Sequence, residues 1–233
     1  MTEGRSALIV GAAPAENGAG HYHMLVEAAD VLIAADGGLL ICLEAGRVPD
    51  YCVGDFDSTP ADALASAAGL GAQVRRFPAD KDVSDLDLAV SVARELGCTQ
   101  VTFTAAFAGR LDHTLAALGP VVSAADLGGA CDEPGWWGIP VCSPIEAAHE
   151  FREPVGTTLS VIAMGADATV NATGLAYPMS GTVLSAFSSR GLSNVVSEHE
   201  QRIEVVSGSV LVIVNRGRWV PTLQSRLAST DTL

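Results

Sequence analysis

Two acidic clusters carry most of the chemical potential of this sequence. In Gly54-Asp55-Phe56-Asp57-Ser58 the carboxylates of Asp55 and Asp57 stand two residues apart, so in extended chain they share a face. In Asp80-Lys81-Asp82-Val83-Ser84-Asp85 a second group opens a helical pattern whose buried stripe is Leu86, Ala89, Val90, Ala93 and Leu96. At roughly 100° per residue, Asp82 projects near the middle of that stripe and Asp85 about 70° from it, whereas Asp87 lies about 130° away and reads as a solvated carboxylate. Each cluster alone has an ordinary explanation: Asp-x-Asp is a common turn, and acids at a helix start are caps worth about 0.5–2 kcal/mol. Brought together, four carboxylates raise one another's pKa, and a hard divalent cation removes the conflict. All-oxygen ligation with room for phosphate oxygens suits Mg²⁺, so a metal–polyphosphate site is favoured over a bare acid pair for glycoside cleavage. Lys81, the sole lysine, sits inside the second cluster, where a point charge suits a polyphosphate oxygen. Arg110 offers a fork-shaped donor, and the glycines of Asp36-Gly37-Gly38 allow close backbone approach to a nucleotide. His113, at a helix start, reads more readily as structural than as catalytic. The GxxxxGK[ST] pattern of P-loop enzymes is absent from the sequence.

The elements that would position these residues alternate regularly. Short apolar strands are expected over 7–10, 31–35, 51–53, 73–77 and 101–105, with helices over 21–29, 39–45, 61–68, 84–96 and 111–125. That order implies a parallel sheet covered by helices on both faces, with ligands beyond the carboxyl ends of the strands. Each polar segment named above follows a strand, so all converge on one rim. From about 128 to 140 the pattern dissolves into glycine, proline and two tryptophans and reads as a domain junction. Beyond it, 157–163, 168–171, 183–187, 202–206 and 210–215 are short and β-rich. The expected fold is an α/β parallel-sheet catalytic domain over 1–130, followed by a smaller all-β antiparallel sandwich domain over 140–220.

A net charge of −14 and a pI near 4.5 argue against a nucleic-acid partner. Apolar runs fall short of the roughly 18 residues of a membrane span, and the start lacks a secretory pattern. The five cysteines form an odd set without CxxC spacing and read as reduced, buried thiols in a cytoplasmic protein.

Four ordered motifs resemble those of thiamine pyrophosphokinases. They are Ala35-Asp36-Gly37-Gly38, Pro49-Asp50 with Gly54-Asp55-Phe56-Asp57-Ser58, Lys81-Asp82-Val83-Ser84-Asp85, and Gly109-Arg110-Leu111-Asp112-His113. The likeness resumes at Gly174-Leu175-Ala176-Tyr177-Pro178 and Gly191-Leu192-Ser193-Asn194. It implies an enzyme that moves diphosphate from ATP to the hydroxyl of thiamine, working as a homodimer with active sites at the subunit interface. By this resemblance Asp55, Asp57, Asp82 and Asp85 are catalytic, with Asp55, Asp57 and Asp85 binding Mg²⁺. Asp36, Gly37, Gly38, Lys81, Arg110 and Asp112 fall on the ATP side, and Tyr177, Ser193 and Asn194 on the thiamine side. A cationic thiazolium would be drawn to the Tyr177 ring by about 0.5–2 kcal/mol. The sequence departs from the family at Val195, at Ala105-Ala106-Phe107-Ala108, and around Trp136 and Trp137. The alternatives are a pyrophosphokinase for another alcohol, such as a hydroxymethylpterin, or a catalytically silent thiamine or nucleotide sensor.

Overall fold

The computed structural model describes residues 4–80, 82–142 and 148–216. The first half contains strands β1 (Ser6–Val10), β2 (Val31–Ala35), β3 (Tyr51–Gly54), β4 (Gln73–Arg76) and β5 (Gln100–Thr104). They alternate with helices α1 (Ala19–Ala28), α2 (Gly38–Glu44), α3 (Ala61–Gly69), α4 (Asp85–Glu95) and α5 (Leu111–Ser123). All ten expected elements are present, their ends shifted by two residues at most. The strands lie in the order β5-β1-β2-β3-β4 and every pairing among them is parallel.

The continuous apolar runs follow from burial on both sheet faces. Ile9, Ile33, Val53 and Phe103 pack with Ala89, Val90, Val92 and Ala93 of α4 and Val121 of α5. Their neighbours Leu8, Leu32 and Cys52 turn the other way, toward Val26 of α1, Leu39 of α2 and Leu64 of α3. Burying each large aliphatic side chain contributes about 1.5–3 kcal/mol, enough to override the weak amphipathic signal of these short helices.

The expected junction at 128–140 is instead two strands, β6 (Ala130–Glu133) and β7 (Trp136–Cys142). Strand β6 pairs parallel to β5, and a turn at Gly135 (φ 92°) returns the chain as β7, antiparallel to β6. Glycine and proline hid this hairpin from a reading based on composition. The remaining strands are β8 (Ala148–Phe151), β9 (Thr158–Ala163), β10 (Ala168–Thr173), β11 (Met179–Leu184), β12 (Asn194–Val195), β13 (Gln201–Ser207) and β14 (Ser209–Asn215). The strand expected over 183–187 lies earlier, as β11, and Phe187 falls in a turn with φ 54°.

β14, β9 and β12 extend the first sheet beyond β7, making ten strands, while β11-β10-β13-β8 form a separate sheet. Val161, Val212 and Val214 of the long sheet pack against Val170, Ile203 and Val205 of the short one. The second half is therefore an antiparallel sandwich, but one of its layers continues the catalytic sheet. Strand β7 serves both cores: Trp136 packs edge-on to Phe107 (5.4 Å), and Trp137 turns to the opposite face against Phe151 (6.4 Å). All five cysteines are free and buried. Burial pushes the Cys42 thiol up to about 12 and Cys52 to about 11. No helix among the described residues is long and apolar enough to cross a membrane.

Candidate active site

The chain runs from β1 outward to β4 and then returns to place β5 on the other side of β1, so the order of the sheet reverses between β1 and β5. Connections leaving such a point diverge and open a crevice at the carboxyl ends of the strands. Three of these ends carry non-glycine residues in left-handed backbone: Asp36 after β2 (φ 44°), Phe56 after β3 (φ 61°) and Ala105 after β5 (φ 52°). Each such conformation costs on the order of 1 kcal/mol or more and persists only where its surroundings enforce it.

Asp36 is enforced by two hydroxyls, Ser58 Oγ on Oδ2 and Thr59 Oγ1 on Oδ1 (3.0 Å). These bonds tie the end of β2 to the loop after β3 and carry Asp36 beside Asp55 and Asp57. One carboxylate oxygen from each of the three lies within 4.8 Å of the others. The resemblance puts Asp36 on the nucleotide side; in the structure its carboxylate also lies with the acidic group. Three oxygens on rigid strand ends fit a hard divalent cation. Asp85 stands close by, because a Cβ on Gly54 would lie 3.2 Å from Asp85 Oδ1 and 3.3 Å from the Asp36 Cβ. Gly54 (φ 149°) lacks a side chain where these two acids approach. Gly38 has a similar reason, since its Cβ would fall 2.0 Å from the Val10 carbonyl and push α2 off the sheet.

Two expectations for the second acidic block need correction. Helix α4 starts at Asp85, so Asp82 precedes it and is exposed, and helical phasing does not apply to it. Asp87 is not a free surface carboxylate. Its Oδ2 accepts the Ser84 N–H (3.0 Å) while Ser84 Oγ accepts the Asp87 N–H (3.3 Å), a reciprocal cap on α4. Lys81 lies outside the described residues.

Arg110 and Asp112 pair bidentately (2.6 and 3.2 Å) at the exposed start of α5, and that contact draws the Asp112 carboxyl down to about 2. A basic group missed in the sequence is Arg76. It ends β4, donates to the Asp55 carbonyl (2.6 Å) and lies over the Phe56 ring (5.0 Å), holding the acidic loop from below. Its place at a strand end on the same rim was the available signal.

In the sandwich, Tyr177 is 69% exposed and Asn194 only 2%. Asn194 Oδ1 accepts the N–H groups of Tyr177 (3.0 Å) and Val195 (2.9 Å), and Nδ2 donates to the Tyr177 carbonyl (2.7 Å). Asn194, placed on the thiamine side by the resemblance, is engaged with the backbone and fixes where Tyr177 stands. Ser193 (φ 54°) is exposed, its N–H bonded to Ser160 Oγ (3.2 Å).

A parallel sheet gathering carboxylates at its crevice, fused through a shared strand to an antiparallel sandwich, defines a two-part enzyme of the α/β type. Residues 22–127 match the family described as thiamin pyrophosphokinase, catalytic domain, and residues 148–212 that described as thiamin pyrophosphokinase, vitamin B1 binding domain. The chain belongs to the thiamin pyrophosphokinase family, whose activity is thiamine diphosphokinase. Its fold is similar to that of thiamine pyrophosphokinase from Bacillus subtilis (20% identity, TM-score 0.76), over 91% of this chain and 100% of the other. The enzymes from Geobacillus thermodenitrificans (24%, 0.76, 92% and 99%) and Candida albicans (14%, 0.76, 92% and 90%) resemble it equally in shape. No relative matches among curated proteins.

Proposed function

We propose that the chain transfers the terminal diphosphate of ATP to the hydroxyl of thiamine at the crevice between β1 and β5, releasing AMP, with Mg²⁺ held by Asp36, Asp55 and Asp57. The observation that carries this reading is the convergence of those three carboxylates on the strand ends of a catalytic domain of this family. Mg²⁺, when bound, supplies positive charge toward the phosphate oxygens. The protein's own residues do the positioning: Ser58 and Thr59 aim Asp36, and Arg76 anchors the Asp55 loop. Asp85, against Gly54, adds a fourth carboxylate able to accept the hydroxyl proton, a role shared in principle with Asp57. Asp82, Arg110 and Asp112 belong to strand-end connections and are assigned to the polyphosphate side, as is Lys81 from its sequence motif, with Gly37 and Gly38 bringing backbone close.

Tyr177 is assigned to the thiazolium, with Asn194 setting its position and Ser193 beside it. The sandwich also exposes Val183, Phe187 and Leu192, and such apolar exposure favours a homodimer in which a second subunit covers part of it. The reduced, buried thiols suit the cytoplasm. The decisive experiment is AMP release from ATP with and without thiamine, before and after chelation of divalent cations. Thiamine-dependent release that chelation abolishes is expected. Release that ignores thiamine but follows another alcohol would transfer the reading to that acceptor.

A further inference from the structure

Glu133 is 3% exposed, and the mechanism above makes no use of it. We propose that Glu133 is a positioning residue for ATP: its buried side chain ties the connection after β5 to the loop after β1 and so fixes how these two segments stand at the crevice. The inference rests on the reading that ATP occupies that crevice.

The register of β6 on β5, with Phe103 opposite Cys131, brings Glu133 level with Ala105, where β5 ends. Glu133 Oε1 accepts the Ala106 N–H (3.0 Å), and the neighbouring Ala105 amide favours the charged form of this carboxylate. These two amides belong to the left-handed turn at Ala105, a conformation an alanine adopts only when held. On the other side Oε2 accepts the Tyr22 hydroxyl (3.1 Å), and that hydroxyl oxygen accepts the Ala15 N–H (2.7 Å). Tyr22 lies on α1 and Ala15 in the loop after β1, so one carboxylate reaches both walls. The walls also touch directly, through Ala13 N–H to the Ala105 carbonyl (2.7 Å) and Ala108 N–H to the Ala13 carbonyl (3.2 Å).

A filler role would be met more cheaply by an apolar residue, because a buried carboxyl costs free energy wherever it is charged. Burial pushes Glu133 up to about 7 and Tyr22 up to about 12, and no cation is among the groups acting on Glu133. The groups facing it are Tyr22 from α1, the amides of Ala105 and Ala106, and Asp132 on its own strand. What the carboxylate provides is several acceptor lone pairs in one buried place, which an amide cannot match.

The test pairs Glu133→Gln with Tyr22→Phe. In Glu133→Gln the amide NH₂ must face either the Ala106 N–H, which then loses its acceptor, or the Tyr22 hydroxyl, whose proton then loses its acceptor. KM for ATP should rise about tenfold, with kcat and KM for thiamine nearly unchanged. Tyr22→Phe cuts only the arm to Ala15 and should raise KM for ATP about threefold, the scale of one net hydrogen bond. In the Glu133→Gln background Tyr22→Phe should add less than this, because both act through one tie. Either variant, folded by circular dichroism, with an unaltered KM for ATP overturns the proposal; a loss of melting temperature alone does the same. If Glu133→Gln does not fold, Tyr22→Phe decides. Asp57→Asn is the control: near-normal turnover there would sink the crevice reading itself, independently of Glu133.

Discussion

The rim of the parallel sheet and the open face of the sandwich solve different problems. At the rim, charge is concentrated and the chain supplies its own restraints: Asp36 is clasped by Ser58 and Thr59, and the loop of Asp55 by Arg76. On the sandwich the prominent groups are neutral and apolar, and Tyr177 stands out into solvent on a support made by buried Asn194. Left-handed non-glycine residues occur in both places, Ser193 and Phe187 in the second. Strain therefore does not separate them. The difference is coverage: one region encloses its functional groups with its own backbone, and the other presents them to something else. A substitution should accordingly damage chemistry at the rim and acceptor binding on the face.

The sharpest test of that division is Asp57→Asn or Asp85→Asn. Each should lower kcat by a hundred- to a thousandfold, about 2.7–4 kcal/mol, while circular dichroism shows intact folding, since losing one carboxylate relieves a crowded acidic rim. Comparable kcat with saturating Mg²⁺ would remove the metal role from the rim. Glu133 gives the rim a pH signature. Its folded pKa of about 7 lies above the usual 4.5, so the folded state binds the extra proton between these values. The stability contribution is complete below about 4.5 and disappears as pH rises through about 7. Chemical denaturation should find the protein less stable at pH 8 than at pH 5, by up to the order of 3 kcal/mol from this group. Glu133→Gln should flatten that dependence; an unchanged slope would place its origin elsewhere. On the sandwich, Tyr177→Ala should weaken thiamine binding by about 1–2 kcal/mol and leave ATP binding intact, as isothermal titration can establish. A parallel loss for ATP would dissolve the distinction between the regions. The smallest effect is expected for Asp87→Ala, about 1 kcal/mol of stability through the cap of α4, with kcat unchanged.

Much of the first half was legible because the buried apolar runs of β1 to β5 recur at regular intervals, separated by turn residues and by stretches long enough for a helix. The carboxylates Asp55, Asp57 and Asp85 could be found because each follows such an element. The place of Asp36 beside Asp55 and Asp57 was not legible, since it is set by Ser58 and Thr59, a tertiary clasp with no trace in local spacing. Asp82 precedes α4, so helical phase does not place it, and Asp87 is drawn into the cap by Ser84, which its angle on the helix does not reveal. The hairpin of β6 and β7 stayed hidden behind Gly135, Gly138 and Pro140, although the alternation of Trp136 and Trp137 between two cores is plain once the register is known. Glu133 could not have been singled out, since an acid in an unrecognised strand reads as surface.

Strand β7 sets a limit on motion. With Trp136 seated in one core and Trp137 in the other, adjacent residues of a single hydrogen-bonded ribbon join the two halves where a flexible linker would otherwise lie. Tilting one half against the other would shear two ladders at once, so opening for substrate is confined to the loops beyond the strand ends. The same fusion should make the halves melt together, with one midpoint for sheet and sandwich alike in a thermal scan followed by circular dichroism.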